Sequence, residues 1–497
     1  MALYSERSKW HSAQEPLASE EYVVKAMPAV LGTVEMTAFF IVIVFFITNA
    51  NTASTAGPAA LTYLVVGAIV FFLPSVIATA QLGVMFPYEG SLYNWTHKAF
   101  GGYWSFFAAF CAWFPGVLVM VSAADNVLAF IQGLNRQWVM QPWQQGLVII
   151  GTLALAGLLA LQRFRTVANV ILVAASAIVG ALVILGGAAT WWLLSGHAPL
   201  SDFGEVEAWL PTLAPHGGNI ATFGLVILAY LGAETPLNMA GELKHRRVIT
   251  RHLCWGPLVV LLGYLIATTA LLIVEGPTSG ALLPALVATV DLSLGKIAGN
   301  LMAVCLIIFF FTAIVAYNCS YARLLLVAGI DQRLPAGVGR LSRSRIPARA
   351  ILFQTIMAIM LAALIFIVAP LVVHVGSPAD LTTEVYNVML ASSTLVWATS
   401  ASFLFANLIM LALRNRETFH AQLILPAPIL WGSVVLGLLS SLFAVVDSLI
   451  FSWIPALIPN GSWWYIIGGV TCFCLIIAAI GSMFAASEAD WQGLNGE

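Results

Sequence analysis

Charge is what this sequence has least of. Only 8% of its 497 residues are Asp, Glu, Lys or Arg, against about 25% in soluble domains, so water is not its main solvent. Paired cysteines are missing as well. The six cysteines (Cys111, Cys254, Cys305, Cys319, Cys472, Cys474) lie in or beside apolar runs without metal-ligand spacing, which argues against a metal site and reads as small core residues. The chain also has no HExxH motif, no Ser/His/Asp arrangement and no GxxxxGK[ST] loop. ATP hydrolysis is therefore not expected, enzymatic chemistry has little to stand on, and no cofactor or metal is expected. The tail Met1 to Tyr22 carries Glu6, Glu15, Glu20 and Glu21 and no short apolar stretch before a small-residue cleavage site, so no removable signal peptide is expected.

What is abundant is apolar sequence: 61% hydrophobic residues and a mean hydropathy of +0.95. Runs of about 20 such residues can cross a bilayer as helices. They fall near 27–48, 57–84, 103–131, 145–161, 167–194 and 219–241, then 254–275, 296–318, 350–375, 386–412, 425–451 and 463–486. Segments this continuously apolar satisfy their backbone only as helices, since barrel strands alternate. The fold class is all-α integral membrane with about twelve transmembrane helices. It is flanked by an N-terminal tail, 1–24, and a short C-terminal tail, 487–497.

Basic residues are retained on the cytoplasmic side of membrane proteins. With both termini inside, twelve spans put all but Arg136 and Lys296 of the twenty Lys and Arg residues on that side, Arg323 among them, while Asp202, Glu205, Glu207 and Asp380 fall outside. A miscounted span would scramble this pattern. The basic loops imply no nucleic-acid role, and membrane lipid is the expected surrounding partner.

Span 6 reads Leu228-Ala229-Tyr230-Leu231-Gly232-Ala233-Glu234-Thr235-Pro236. Its two helix breakers, Gly232 and Pro236, stand one turn apart in mid-membrane, where unwinding frees backbone N–H and C=O groups for a ligand. The ends of two half-helices carry partial charges of opposite sign, which suits a zwitterion such as an amino acid. The plainer reading is an ordinary proline kink. Glu234 tips the balance, because a carboxylate in the bilayer costs roughly 2.5–3.5 kcal/mol and usually has a partner or a function; locking spans together is its structural alternative. Glu35, flanked by Thr33 and Thr37 in span 1, is a second acid with a possible coupling role. Trp113 and Phe114 before the Pro115-Gly116 break in span 3 are candidates to wall a pocket that Tyr230 closes, against the plainer reading of bundle packing. In span 8, Asn318 and Ser320 beside Tyr317 are candidates to coordinate a cation, or they bond other helices. Gly57-Pro58 opening span 2 and Gly256-Pro257 opening span 7 form a possible echo between two repeated halves.

Three stretches carry a family resemblance: Leu225 to Glu242; Ser320-Tyr321-Ala322-Arg323 through Gly329, Asp331 and Leu334-Pro335 to Ile346-Pro347; and Phe86-Pro87-Tyr88-Glu89-Gly90-Ser91 with Ala99-Phe100-Gly101. They resemble span 6, the loop after span 8, and the segment between spans 2 and 3 of the amino acid–polyamine–organocation (APC) transporter superfamily, closest to its bacterial glutamate:GABA antiporters. The resemblance implies a leucine-transporter-type fold, with spans 1–5 and 6–10 as inverted repeats over residues 25–412 and two extra helices over 413–486. It also implies alternating access in the plasma membrane, with an amino acid or amine held between broken spans 1 and 6, near Thr37, Trp113, Ala229, Tyr230, Gly232 and Glu234. A proton, sodium ion or counter-substrate would couple at Glu35, Glu234, Asn318 or Ser320.

Departures from the family pattern are visible too. Phe39 to Phe46 contains none of the glycines that most members use in span 1, span 5 has no lysine, and only about a dozen residues follow span 12, so a C-terminal pH plug is not expected. A channel or receptor built on the same bundle and an intramembrane enzyme using Glu35 with Glu234 stand as rival readings. The enzyme reading requires the two carboxylates to converge.

Overall fold

The computed structural model describes residues 17–135, 138–139, 141–212, 219–277, 285–335, 337–372, 378–453 and 457–494, without the side chains of 372–384, 386 and 488–494. Glu6, Arg7, Lys9, Glu15 and Arg136 lie outside the described residues, as do residues 1–16 and 495–497 of the two tails and the side chain of Asp380. The described residues are overwhelmingly helical, with one isolated β-bridge, Leu31 to Leu243.

Among the described residues, ten helices are long and apolar enough to cross a membrane unbroken: Ala59–Met85, Gly102–Leu134, Pro142–Ala160, Phe164–Leu194, Arg247–Val274, Lys296–Ile330, Ala348–Leu371, Asn387–Arg414, Ala427–Ile450 and Asn460–Ser487. They are spans 2–5 and 7–12. Spans 1 and 6 are each made of two pieces. Span 1 runs Thr33–Val44 and resumes at Asn49–Ser54; span 6 runs Ala221–Leu228 and resumes as a 3₁₀ helix, Thr235–Glu242. At 1.5 Å per residue the unbroken helices reach about 30–50 Å, enough for a hydrocarbon core of about 30 Å.

Two expected breaks are absent. The helix of span 3 passes through Pro115 without interruption, and Gly116 serves close approach instead: a β-carbon there would strike the ring of Tyr321 on span 8. Gly256-Pro257 does not open span 7, which begins at Arg247; Gly256 makes room for the ring of Phe40 on span 1. Span 8 also continues well past residue 318, to Ile330, so Ser320 to Arg323 is membrane helix rather than loop. Arg323 is therefore not a loop charge. It is 1% exposed.

The N-terminal helix Ala18–Ala26, the helix Ser91–Phe100 between spans 2 and 3, and the ends of spans 6 and 8 gather at one end of the bundle, hereafter the basic end. Glu20 accepts from Lys98 at 2.7 Å, Ser19 donates through its amide and hydroxyl to Asp331 at 2.9 and 2.8 Å, and Leu31 bonds backbone to backbone with Glu242 and Lys244. Just inside that layer, Arg323 donates two bonds to Glu242, at 2.9 and 3.0 Å, and one to the carbonyl of Cys319 at 2.7 Å. Its Nε lies 3.6 Å from Glu89, and its guanidinium lies 4.1 Å from the centre of the Phe164 ring. Glu89 in turn accepts from the amide of Gly241 at 2.7 Å.

Removing one member of a buried ion cluster leaves the others uncompensated, at a cost of about 3–5 kcal/mol. Arg323→Met keeps the side-chain volume and strands two carboxylates. It is expected to lower the unfolding temperature in detergent, followed by size-exclusion chromatography after heating, far more than Glu89→Gln does. Equal unfolding temperatures for wild type and Arg323→Met would show that the cluster does not stabilise the fold.

Candidate functional site

The break in span 1 falls at Phe45 to Thr48, and it forms without glycine. Phe45 turns extended (φ −88°, ψ 100°), with its ring edge-on to Tyr264 of span 7 (4.8 Å) and Phe309 of span 8 (6.4 Å). Phe46 packs edge-on to Phe310 and Tyr317 of span 8. Span 7 comes close enough because residue 263 is glycine; a β-carbon there would meet the Phe45 ring at 2.7 Å. Aromatic packing therefore holds the extended backbone that glycine permits elsewhere.

The break in span 6 occupies residues 229–234 and does use its glycine. Gly232 has φ +96°, a left-handed conformation that L side chains rarely adopt, and a β-carbon would come within 2.9 Å of the Trp397 ring on span 10. Glu234 follows, 3% exposed, and the indole N–H of Trp397 donates to its carboxylate at 3.3 Å. No cationic side chain pairs with Glu234 among the described residues.

Tyr264 joins the two breaks. Its hydroxyl accepts from the amide of Phe46 (3.1 Å) and from Asn49 (3.3 Å), and donates to the carbonyl of Ala229 (3.4 Å). Tyr317 donates to the carbonyl of Ile43 at 2.7 Å, the group an unbroken helix would have given to residue 47. Ser320 donates to the carbonyl of Thr235 at 2.6 Å, and Asn238 donates to Ser320 at 3.3 Å. Among the described residues, the amides of Gly232 and Ala233 have no acceptor. They precede the first turn of Thr235–Glu242, where helix geometry gathers partial positive charge.

Of the residues singled out in the sequence, Ala229, Tyr230, Gly232 and Glu234 all lie in the span 6 break, and Ser320 reaches it through Thr235. Tyr230 turns toward span 2, donating to the Leu64 carbonyl at 3.0 Å and stacking on Phe72 at 4.6 Å. The others lie apart. Thr37 bonds the Thr33 carbonyl in its own helix (2.8 Å), and Trp113 stacks on Phe353 of span 9 at 5.8 Å. Asn318 faces span 9, where Gln354 and Thr355 hold it. Glu35 caps the start of span 1 through the Gly32 amide at 3.0 Å. It stands some ten residues, about 15 Å, from the break, so it does not converge with Glu234. Tyr317, named beside Asn318 and Ser320, bonds another helix; Tyr264 and Trp397 were missed, although a tyrosine or tryptophan with a polar tip inside a span is itself a signal. Two further intramembrane acids were passed over as well. Asp447 on span 11 accepts from the Gly224 amide at 3.1 Å, and Asp125 on span 3 has no ionic or hydrogen-bonding partner among the described residues.

A profile for the family described as amino acid permease matches residues 24–477. The chain belongs to the amino acid permease family. This family member, with its ten unbroken apolar helices, is a multi-pass membrane protein. It is 30% identical over 207 residues to the glutamate/serine transporter of Bacillus subtilis, a match that spans 39% of this chain and 37% of that protein. It is 25% identical over 354 residues to the aromatic amino acid transport protein of Corynebacterium glutamicum, spanning 69% and 73%. A 21% match over 304 residues to an uncharacterized transporter of Legionella pneumophila spans 59% of this chain and 64% of that protein. The matched part thus covers less than two thirds of the Bacillus and Legionella relatives.

Tyr264→Phe keeps the ring and deletes one hydroxyl that three groups use. Leaving buried polar groups unpaired costs about 1–3 kcal/mol, so a lower unfolding temperature in detergent is expected. Gly232→Ala is expected to be worse than a neutral change, since the left-handed conformation alone costs about 1–2 kcal/mol before the Trp397 contact is counted. Wild-type unfolding temperatures for both variants would mean that the breaks do not depend on these contacts.

Proposed function

We propose that the chain is a secondary transporter of amino acids or related amines that works by alternating access, with its substrate held between the breaks of spans 1 and 6. The observation that carries this reading is the pair of facing breaks bridged by Tyr264, with the unaccepted amides of Gly232 and Ala233 on one of them. A zwitterion needs donors for its carboxylate and acceptors or negative charge for its ammonium. Free amides at a helix start supply the first, and Glu234 with the carbonyl ends of Ala221–Leu228 and Thr33–Val44 supplies the second. The amino acid and glutamate/serine transport named for the relatives agrees in substrate class.

On this reading Gly232, Ala229 and Glu234 contact the substrate, Tyr230 and Ser320 hold the surrounding backbone, and Glu234 is the coupling carboxylate. Trp113 and Thr37 act only through packing, and Asn318 and Glu35 are structural. The basic end faces the cytoplasm of a cell bounded by the plasma membrane, in keeping with the retention of positive charge on that side.

The test is uptake of a panel of radiolabelled amino acids and amines into proteoliposomes, with and without preloading and with imposed pH or sodium gradients. Saturable uptake of panel members is expected. Stimulation by preloading would identify exchange; stimulation by a gradient would identify the coupling ion. Linear, non-saturable flux would replace this reading with a channel. Glu234→Gln is expected to reduce uptake at least about tenfold, the loss of one charge-assisted contact of about 1.4 kcal/mol or more, with unchanged elution on size exclusion. Wild-type kinetics for that variant at every pH would remove Glu234 from the mechanism.

A further inference from the structure

At the basic end, where spans 1, 6 and 7 meet, lies an open cleft of about 500 Å³ lined by Gly32, Thr33, Lys244, Arg246, Arg247 and Arg251. Its cations are poorly compensated. Arg246, Arg247 and Arg251 are exposed and have no anionic partner among the described residues, and Lys244 has only Glu35, at 4.0 Å with both groups partly in solvent. Arg247 and Arg251 are also spaced as like charges one turn apart, in the first turns of span 7. Both the pair repulsion and the helix dipole oppose cations there. These cations thus stand together at a place where local electrostatics disfavours them.

The cleft is not surrounded by water on every side. Trp255, one turn beyond Arg251, is 57% exposed, and Leu258 and Leu262 continue the same face at 46% and 48%. Across the opening, Val34 follows Thr33 at the start of span 1 and is 62% exposed. In a multi-pass membrane protein such a face meets acyl chains, and a tryptophan at its end marks the level of the headgroups. The cationic cleft therefore opens directly onto a lipid-facing apolar strip, a shape that matches an amphiphile with an anionic head rather than a free ion.

We infer that this cleft is a binding site for an anionic phospholipid, whose phosphate sits among Lys244, Arg247 and Arg251 while an acyl chain lies along Trp255, Leu258 and Leu262. Basic pockets between membrane helices hold such headgroups by charge. The cleft joins the start of span 1 to the start of span 7, and the backbone pairing of Leu31 with residues 242 and 244 adds the end of span 6. A lipid bound there bridges the basic ends of both broken spans. This inference depends on membrane residence alone and stands whether or not the transport reading does.

The test is native mass spectrometry of the full-length protein taken from micelles that contain equimolar phosphatidylglycerol and phosphatidylcholine. The wild type is expected to retain phosphatidylglycerol several-fold over phosphatidylcholine, with the preference falling as salt rises. The triple variant Lys244→Gln, Arg247→Gln, Arg251→Gln is expected to lose it. Arg340→Gln with Arg343→Gln, in the connection between spans 8 and 9, is expected to keep it. Both variants alter exposed side chains, and their unfolding temperatures check that they fold. No headgroup preference in the wild type, equal loss in both variants, or complete displacement of the lipid by millimolar inorganic phosphate would each overturn the assignment.

Discussion

A peptide group inside hydrocarbon has no water to bond, and a helix that unwinds there must find other partners for every N–H and C=O it frees. That constraint decides where the spans of this protein stand. Where span 1 stops, the carbonyl of Ile43 takes the hydroxyl of Tyr317 and the amide of Phe46 takes that of Tyr264. Where span 6 stops, the carbonyl of Ala229 takes the same Tyr264 hydroxyl and that of Thr235 takes Ser320. Spans 7 and 8 therefore flank the breaks because they carry the replacement donors and acceptor. They approach closely enough because Gly263 admits the Phe45 ring, just as Gly116 admits Tyr321 between spans 3 and 8. Among the described residues, the amides left over are those of Ile47 and Thr48 in the first break and of Gly232 and Ala233 in the second, and on the proposed reading an acceptor of the substrate completes the accounting there.

The two pieces of span 6 answer to different neighbours. The piece Ala221–Leu228 is tied to span 11 through Asp447 at the Gly224 amide, and Tyr230 just beyond it is tied to span 2 through the Leu64 carbonyl. The piece Thr235–Glu242 is tied to span 8 twice, through Ser320 and Arg323, which lie one turn apart on the same helix. A guanidinium between two carboxylates in a nonpolar layer gives little net stability relative to well-packed apolar groups, but its partners are costly to separate. The cluster thus fixes the second piece to span 8 without reference to the first. Gly232, in its left-handed conformation, lies between them, where the proposed alternating access would place a hinge.

The all-α membrane architecture was legible because its signal is long and repeated: runs of about twenty apolar residues. The break in span 6 was legible for a local reason, since Gly232 and Pro236 are the residue types that unwind helices. Span 1 gave no such signal. Its break is imposed by aromatic rings and hydroxyls on spans 7 and 8, and contacts between residues some 215 to 275 positions apart leave no trace in a local window. Proline misled in the other direction: Pro115 and Pro257 stay within continuous helices, where membrane neighbours and close packing tolerate them. Arg323 looked like a loop charge because charge usually ends a span, and only its bidentate partner Glu242, some eighty residues away in sequence, makes it affordable inside one.

Glu234 links this packing to the proposed transport. Its hydrogen-bonding partner on span 10 is the neutral indole of Trp397, and no cation is paired with it among the described residues. On the proposed reading, the ammonium of a substrate supplies the countercharge that this carboxylate lacks. That occupant changes the charge of a segment lying between two independently anchored half-helices. Under the proposed alternating access, occupancy of the break and the position of its two halves share one interaction energy, and by linkage each biases the other equally. Such coupling requires a bistable element and a site that distinguishes its states. In the proposed mechanism Gly232 would be that element, with a carboxylate two residues away and clamps on either side that belong to different helices.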